Sequence, residues 1–552
     1  MNRNESFPFS SMPMLNISRS KINKPHTLKT TFNIGKLVPI YCSQILPGQT
    51  VEMKLNSFIR LATPVTPVMD DLICDVYFFF IPNRVIWPNF EKFMGANPEY
   101  TNSDWAQTAT IIPPKVGATT TSSTKYGPND LGAYLGLYPA NVKIPQLNAP
   151  YKDNPVALPI FSYCKVWSDW FRDENFEKEI PLPGNGNNNV GITSVASGNF
   201  YTDIIMGYGL APVAKTSDLF TKCLPAPQKG ASVRIPVNQT LSNPPLAFIN
   251  ASTGAITNLS TVISAGTSPA NILTNTATGT TSGTVVLSDS ALGTINQLRE
   301  AFAVQRLLEG DARYGTRYIE LLRGHFNVSN GDARLQRSEY LGGKRFAINM
   351  NQVVQTSGYD SNSSSPTPQG HTAGYSVTGD SSGMFVKSFT EHGWLLGVCC
   401  TRIKKHTYSQ GIDRQFFFNT RYELYWPELA HIGEQAVYKK ELFAGDSSNS
   451  YLDDTVFGYQ EAWFMYRHKP NRLSGYMATQ ITGSLNVWHY GDLFTGRPTL
   501  NSTFIHEDSY QLNRTLAVSS DQSHQFLADF FFNEKDILPM PTYSIPGLVD
   551  HV

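Results

Sequence analysis

The chain has 552 residues, with 44 Lys and Arg against 44 Asp and Glu, so its formal net charge is zero and no overall field draws it to nucleic acid or a membrane surface. Its 32 Phe, 26 Tyr and 8 Trp can fill a large core and leave a surplus for interfaces. Six Cys with no Cys-x-x-Cys spacing signal neither a zinc site nor a redox pair, and all six are expected to be reduced.

In chain order, residues 1–40 form a basic arm: Arg3, Arg19, Lys21, Lys24, Lys29 and Lys36 face only Glu5. With Phe7, Phe9 and Phe32 nearby, the arm could follow phosphates and stack on bases; a solvated or subunit-clasping arm fits the charge pattern as well. No apolar segment follows Arg3, so no secretory signal is predicted, and a reducing cytoplasm is the expected site of synthesis. The longest apolar run, residues 76–82, is far too short to cross a membrane.

Residues 27–82 read as strands. Val51, Met53 and Leu55 alternate with Glu52 and Lys54, the period of a half-buried strand. Residues 75–81 are a nearly continuous apolar run ended by Pro82, as in a strand covered on both faces. A short helix is expected at 162–172, with Tyr163, Val166, Trp167, Trp170 and Phe171 on one face. Residues 182–198 read as a Gly/Asn-rich loop.

Residues 235–288 contain no Asp, Glu, Lys, Arg, His, Tyr or Cys, where about nine charges would be expected at the chain's own charged fraction of 16%. Disordered tracts owe their state to charge and few β-branched residues; this one has neither and reads as short strands and turns in an insertion spanning 229–292. Thr294-Ile-Asn-Gln297 matches a capping box opening a helix to Leu308, stopped at Gly310, with a second helix at 317–323. A surface loop is expected at 357–383, and strands at 394–401 and 475–490. Adjacent Cys399 and Cys400 should point to opposite faces of their strand.

Strands, long connections and strands again, with only short helices and no internal repeat, predict an all-β antiparallel sandwich. Residues 27–552 are expected to form one domain built from both sides of the 229–292 insertion. Loops this long suit a subunit whose neighbours cover them.

Chemistry is sparse. No Gly-x-Ser-x-Gly elbow occurs; Leu341-Gly-Gly-Lys344 and Gly184-Asn-Gly186 lack the further glycines of phosphate-binding loops and read as turns. His431 and Glu434 lack a second ligand pair, and Asp70-Asp71 and Asp453-Asp454 lack a calcium-loop pattern. No catalytic, cofactor or metal residue is assigned. Between Arg299 and Arg345, nine Lys and Arg mix with six Asp and Glu, a set suited to an interface ion-pair network more than to a nucleic-acid groove. The competing reading is a monomeric carbohydrate-binding or glycan-cleaving β-sandwich, which needs paired carboxylates in a cleft.

Six ordered segments carry a more specific signal. Phe79-Phe-Ile-Pro-Asn-Arg-Val-Ile-Trp87, Tyr163-Cys-Lys-Val-Trp-Ser-Asp-Trp-Phe-Arg-Asp-Glu-Asn175, Ala333-Arg-Leu-Gln-Arg-Ser-Glu-Tyr-Leu-Gly-Gly343, Lys387-Ser-Phe-Thr-Glu-His-Gly393, Tyr425-Trp-Pro-Glu-Leu-Ala-His-Ile-Gly-Glu-Gln435 and Pro541-Thr-Tyr-Ser-Ile-Pro-Gly-Leu-Val-Asp-His551 resemble signature segments of gokushovirus major capsid proteins. These come from small tailless single-stranded-DNA bacteriophages of the Microviridae. The resemblance leaves out 235–288 and 357–383, and departs at Arg337-Ser-Glu, where the family usually has Pro after Arg.

It implies a viral jelly roll of eight strands in an antiparallel double sheet, with long insertions, and a T=1 icosahedral shell of about 60 copies enclosing circular single-stranded DNA. The implied partners are further copies of the chain, the packaged DNA, a small basic DNA-binding virion protein, an internal scaffolding protein, a minor pilot protein and a bacterial surface receptor. No cofactor or membrane insertion is implied, and the implied location is the virion, assembled in the host cytoplasm. The charge-free tract lies where the family carries a host-contacting threefold protrusion. Charged loops meeting on such an axis would repel, whereas Ile263 and Val285 could pack between copies. Arg3, Arg19, Lys21, Lys24 and Lys29 are the expected DNA contacts.

Overall fold

A computed structural model describes residues 18–94, 111–119, 124–147, 154–182, 189–193, 196–230, 247–249, 256–258, 295–314, 336–356, 369–370, 372–445, 448–518, 520 and 523–543. It is mostly antiparallel sheet. Eight strands carry it: β1 (Ser20–Phe32), β2 (Val38–Ile45), β3 (Thr50–Leu61), β4 (Leu72–Pro82), β5 (Glu339–Ile348), β6 (Thr378–Ser388), β7 (Gly393–Ile403) and β8 (Phe526–Leu538). They form two four-stranded sheets, ordered β1-β8-β3-β6 and β2-β7-β4-β5, and every neighbouring pair is antiparallel. Each sheet combines strands that precede residues 226–330 with strands that follow them.

The alternation in β3 drives the sandwich. Val51, Met53, Leu55 and Ile59 turn inward with Phe526, Phe530 and Phe532 of β8, and meet Leu72, Cys74, Val76, Phe78 and Phe80 of β4 in one buried cluster. Each fully buried side chain of this size contributes about 1.5–3 kcal/mol. β4 is apolar on both faces because it is covered twice. Its Phe79 and Ile81, with Leu396, Val398 and Cys400 of β7, enter a second buried cluster. Helix α1 (Leu158–Val166) supplies much of that cover, continuing as a π turn through Trp167–Phe171. Tyr163 donates to the Leu37 carbonyl at 2.6 Å and Trp167 Nε1 to the Pro212 carbonyl at 2.9 Å, so neither buried polar tip lacks a partner. Cys399 and Cys400 divide between the two clusters, and all six thiols are free. A third cluster, including Phe220, Tyr408, Val437, Trp463 and Phe464, gathers elsewhere among the connecting segments.

Charge stitches the edges. Lys344 of β5 reaches Asp380 of β6 at 2.6 Å, and Lys387 of β6 reaches Glu339 of β5 at 2.7 Å. Fully buried Asp75 of β4 accepts two hydrogen bonds from Arg345 of β5, at 2.6 and 3.1 Å, and another from Arg402 of β7. Part of the mixed charge between Arg299 and Arg345 thus forms ion pairs within the chain.

Residues 226–330 form a separate compact unit. Its described parts are the antiparallel pair Ala247–Ile249 and Ile256–Asn258, in the charge-free tract, and helix α2 (Ile295–Tyr314). The helix passes through Gly310, where a stop had been expected; the expected helix at 317–323 lies outside the described residues.

Other expectations change. Residues 475–490 are not a strand: Gly475 and Gly483 take φ of +62° and +77°, breaking the segment into turns at Gly475–Met477 and Asn486–Trp488. The expected loop at 357–383 contains the strand Thr372–Ser376, paired with Met350–Val354, and the start of β6. Its Ser and Gly content had hidden a period-2 pattern. Helix α1 starts earlier than expected because Pro159 sits in its first turn, where proline is favourable.

Candidate assembly surface

Residues 414–429 contain three 3-10 turns, Arg414–Phe416, Arg421–Glu423 and Pro427–Leu429. Local polar groups set them. The Asp413 carboxylate accepts from the Gln415 N–H at 3.2 Å, Glu423 from the Asn419 N–H at 2.8 Å, and Trp426 Nε1 donates to the Arg421 carbonyl at 2.8 Å. Trp463, buried and left-handed at φ 66°, anchors the segment from below. Its Nε1 donates to the Leu429 carbonyl at 2.8 Å, and Tyr425 packs edge-on against its ring at 5.8 Å.

The other side faces solvent. Phe416 is 70% exposed and Tyr422 61%; Phe418, Trp426, Ile432 and Tyr466 are exposed with them. A cleft of about 200 Å³ opens among Arg414, Phe417, Phe418, Leu424, Met465 and Tyr466. Beneath it, Lys440 lies 4.3 Å from the Phe417 ring centre and Arg414 4.6 Å from that of Tyr438. Burial pushes the Glu441 carboxyl up to about 7, against the lowering pull of the Tyr438 N–H and Arg414. Exposed aromatics this dense along one segment, held by directed hydrogen bonds, have the composition of a protein interface, not of a solvated loop.

A buried ionic centre lies close to the end of β7. His406 Nδ1 is 3.1 Å from Asp492 and its Nε2 is 3.3 Å from Glu507. Lys215 is 3.2 Å from Asp492, Gln511 donates to Asp492 at 2.8 Å, and Glu507 accepts from the Ile403 N–H at 3.1 Å. Burial opposes the charged imidazole, but Glu507 and Asp492 outweigh it and raise His406 to about 9. The same two carboxylates overcome burial to hold Lys215 above its usual range. Burial works against the Asp492 carboxylate too, yet Lys215 and His406 hold it well below its usual range. His406 and Lys215 thus lie against Asp492 and Glu507 in one buried cluster that pins distant segments together.

The residues expected to contact DNA do not form a free arm over their described part. Lys21, Lys24 and Lys29 lie on β1, paired with β8. Lys24 turns onto buried Asp536 at 2.5 Å and is committed there. Lys29 points outward, 3.4 Å from Asp529; Lys21 and Arg19 are exposed. Arg3, Ile263 and Val285 lie outside the described residues. His431 is exposed and Glu434 begins a strand, Glu434–Tyr438, instead of sharing a helix with it. Asp71 pairs with Lys404 at 2.8 Å and Asp454 with Lys440 at 2.5 Å; Asp70 accepts from the Tyr490 N–H at 2.7 Å, and Asp453 pairs with Arg497. Among the described residues no cluster of His, Cys, Asp or Glu could hold a metal ion, and no helix is long and apolar enough to cross a membrane.

Sequence reasoning missed the aromatic surface and the ionic centre. The first left a signal, the density of aromatics from Phe416 to Trp426 without strand or helix period. The second joins residues far apart in the sequence and left none.

Residues 10–548 match the sequence profile of a family described as Capsid protein (F protein). The chain is 36% identical to the capsid protein VP1 of Bdellovibrio phage phiMH2K, with 99% of this chain and 98% of that protein aligned. It is 34% identical to capsid protein VP1 of Chlamydia phage 1 and 36% identical to that of Spiroplasma virus 4; 98% of this chain and 97% of the relative align in each case.

Proposed function

Since the chain belongs to the phage capsid protein (F protein) family, we propose that this structural capsid protein self-assembles into a T=1 icosahedral shell of about 60 copies around circular single-stranded DNA. The sheet orders β1-β8-β3-β6 and β2-β7-β4-β5 support a viral jelly roll, the two-Greek-key double sheet. The observation that carries assembly is the ordered, outward aromatic surface from Phe416 to Trp426, which a solitary chain has no reason to maintain. A shell protein's role is structural, in keeping with the family. Within the separate unit at 226–330, the insertion at 229–292, with Ile263 and Val285 in its charge-free tract, is our candidate for the threefold protrusion and host receptor contact. A scaffolding protein, a small basic DNA-binding protein and a pilot protein complete the proposed virion, assembled in the host cytoplasm.

The test is to express the chain with its phage's scaffolding protein and examine sedimentation and negative-stain images. Shells are expected from the native sequence. The triple variant Phe416→Ser, Tyr422→Ser, Trp426→Ser should yield folded subunits that do not assemble. Shells at native yield from that variant would remove the aromatic surface from the assembly contacts, and a native chain that never forms shells would overturn the function itself.

A further inference from the structure

The two sheets differ in what covers them. The second is buried on both faces along β4 and β7, whereas on the first, β3 and β8 alternate buried and exposed residues along their lengths. In strands of this kind the outward positions are normally polar. Here Phe58 is 47% exposed, Leu527 49% and Phe531 37%. The register makes them neighbours. Phe58 stands opposite Asp529, Phe531 opposite Asn56 and Leu527 opposite Arg60, so Phe58 is the diagonal neighbour of both apolar residues of β8. Diagonal side chains on one sheet face are about 7–8 Å apart, the spacing of successive bases in an extended, unstacked strand.

Cations surround this ridge. Lys29 stands opposite Asp529 and Lys54 opposite Asn533; each is exposed and pairs with one acid of the same face, Lys29 with Asp529 and Lys54 with Glu52, at 3.4 Å in both cases. Arg60, Lys535 and Lys21 occupy further outward positions and have no ion pair among the described residues. The face therefore carries a positive surplus on a chain whose total is neutral.

A second, independent feature concerns β6. Gly379 stands opposite Phe58 and Gly383 opposite Lys54. A Cβ at either glycine would meet nothing within 4 Å, and neither has a positive φ, so neither packing nor backbone conformation requires glycine. Glycine inside a strand weakens it, and a common reason to keep it is close approach by a ligand. With Ser381 between them, opposite Asn56, these positions leave a clear shelf beside the Phe58 ring.

We infer that the outer face of the β1-β8-β3-β6 sheet is a single-stranded DNA platform, with bases stacking on Phe58 and Phe531 and phosphates held by Arg60, Lys535, Lys21 and Lys29. This rests on the reading of the chain as the shell around a single-stranded genome. It places the contact on a paired sheet, where stacking is tolerant of sequence, as a packaged genome demands.

The experiment measures binding of a fluorescent dT homopolymer, and of an abasic homopolymer of equal length, to full-length unassembled subunits across a salt series. Phe58→Ala and Phe531→Ala should each weaken dT binding at least about fivefold, the lower end of one lost base stack, and leave abasic binding unchanged. Arg60→Gln with Lys535→Gln should weaken both and flatten the salt dependence by about 1.4 in the log–log slope, two single-strand phosphate contacts. Unchanged dT affinity in the aromatic double variant would overturn the platform. So would loss of shells with dT affinity intact, which would make this face a contact between copies. Shell formation by the native chain, scored separately by microscopy, tests the proposed function, so the two can fail independently.

Discussion

The ionic centre around His406 makes stability depend on pH in a direction opposite to ordinary acid denaturation. His406 lies between Asp492 and Glu507, with Lys215 and Gln511 completing the cluster, and keeps its proton to about pH 9 against a usual 6.5. A group whose folded pKa is raised stabilises the fold fully below its unfolded pKa, and that contribution disappears as pH rises through the folded value. The window therefore runs from about 6.5 to about 9. Each tenfold in proton affinity is worth about 1.4 kcal/mol, so the contribution is on the order of 3 kcal/mol. The assay is urea unfolding of the unassembled subunit, native beside His406→Gln, at steps between about pH 6 and pH 10. Gln can bond to one carboxylate but cannot supply charge. The native chain should be the more stable at low pH, and its advantage should shrink by roughly 3 kcal/mol across the window. A constant difference between the two chains would show that His406 is not protonated in the fold, and the ion-paired account of the cluster would fall.

Other outcomes follow from the same structure. Arg402→Met leaves buried Asp75 with only Arg345 and should lower subunit stability by about 1–3 kcal/mol, read as a shift of the urea midpoint at neutral pH. Gly411→Ala places a methyl against the Glu441 carbonyl and should cost about 1–3 kcal/mol through overpacking, again by urea titration. Burial pushes the Cys400 thiol up to about 12, so mass spectrometry should find Cys400 unlabelled by iodoacetamide at about pH 8 until the chain is unfolded.

What the sequence disclosed depended on range. The alternation of Val51, Met53 and Leu55, and the apolar run before Pro82, follow from side-chain geometry within a single strand, and both appear as expected in β3 and β4. The opposite facing of Cys399 and Cys400 has the same origin. The strand expected at 475–490 failed because two left-handed glycines override a plausible alternation. The role of β1 was obscured by its lysines: charge suggested a free arm, whereas register with β8 gives Lys24 a buried carboxylate partner. Lys215, His406, Asp492 and Glu507 come together only through tertiary folding, which no local pattern encodes. Phe58 was visible as an apolar residue at a solvent-phase position, but its meaning needed Leu527, Phe531 and the open glycines beside it.

The position of β8 has a temporal consequence. It is the last of the eight strands to be synthesised, yet it lies inside the first sheet, between β1 and β3. Until the ribosome has passed Leu538, β1 has no partner and β3 keeps an unpaired edge. Pairing across nearly the whole chain gives a high contact order and slow closure, and exposed strand edges in the interim invite misassembly. A prematurely terminated chain therefore lacks the sheet that anchors its own beginning. A chain cut short before Phe526 cannot complete the first sheet, and it keeps exposed strand edges of the kind that chaperones and proteases act on.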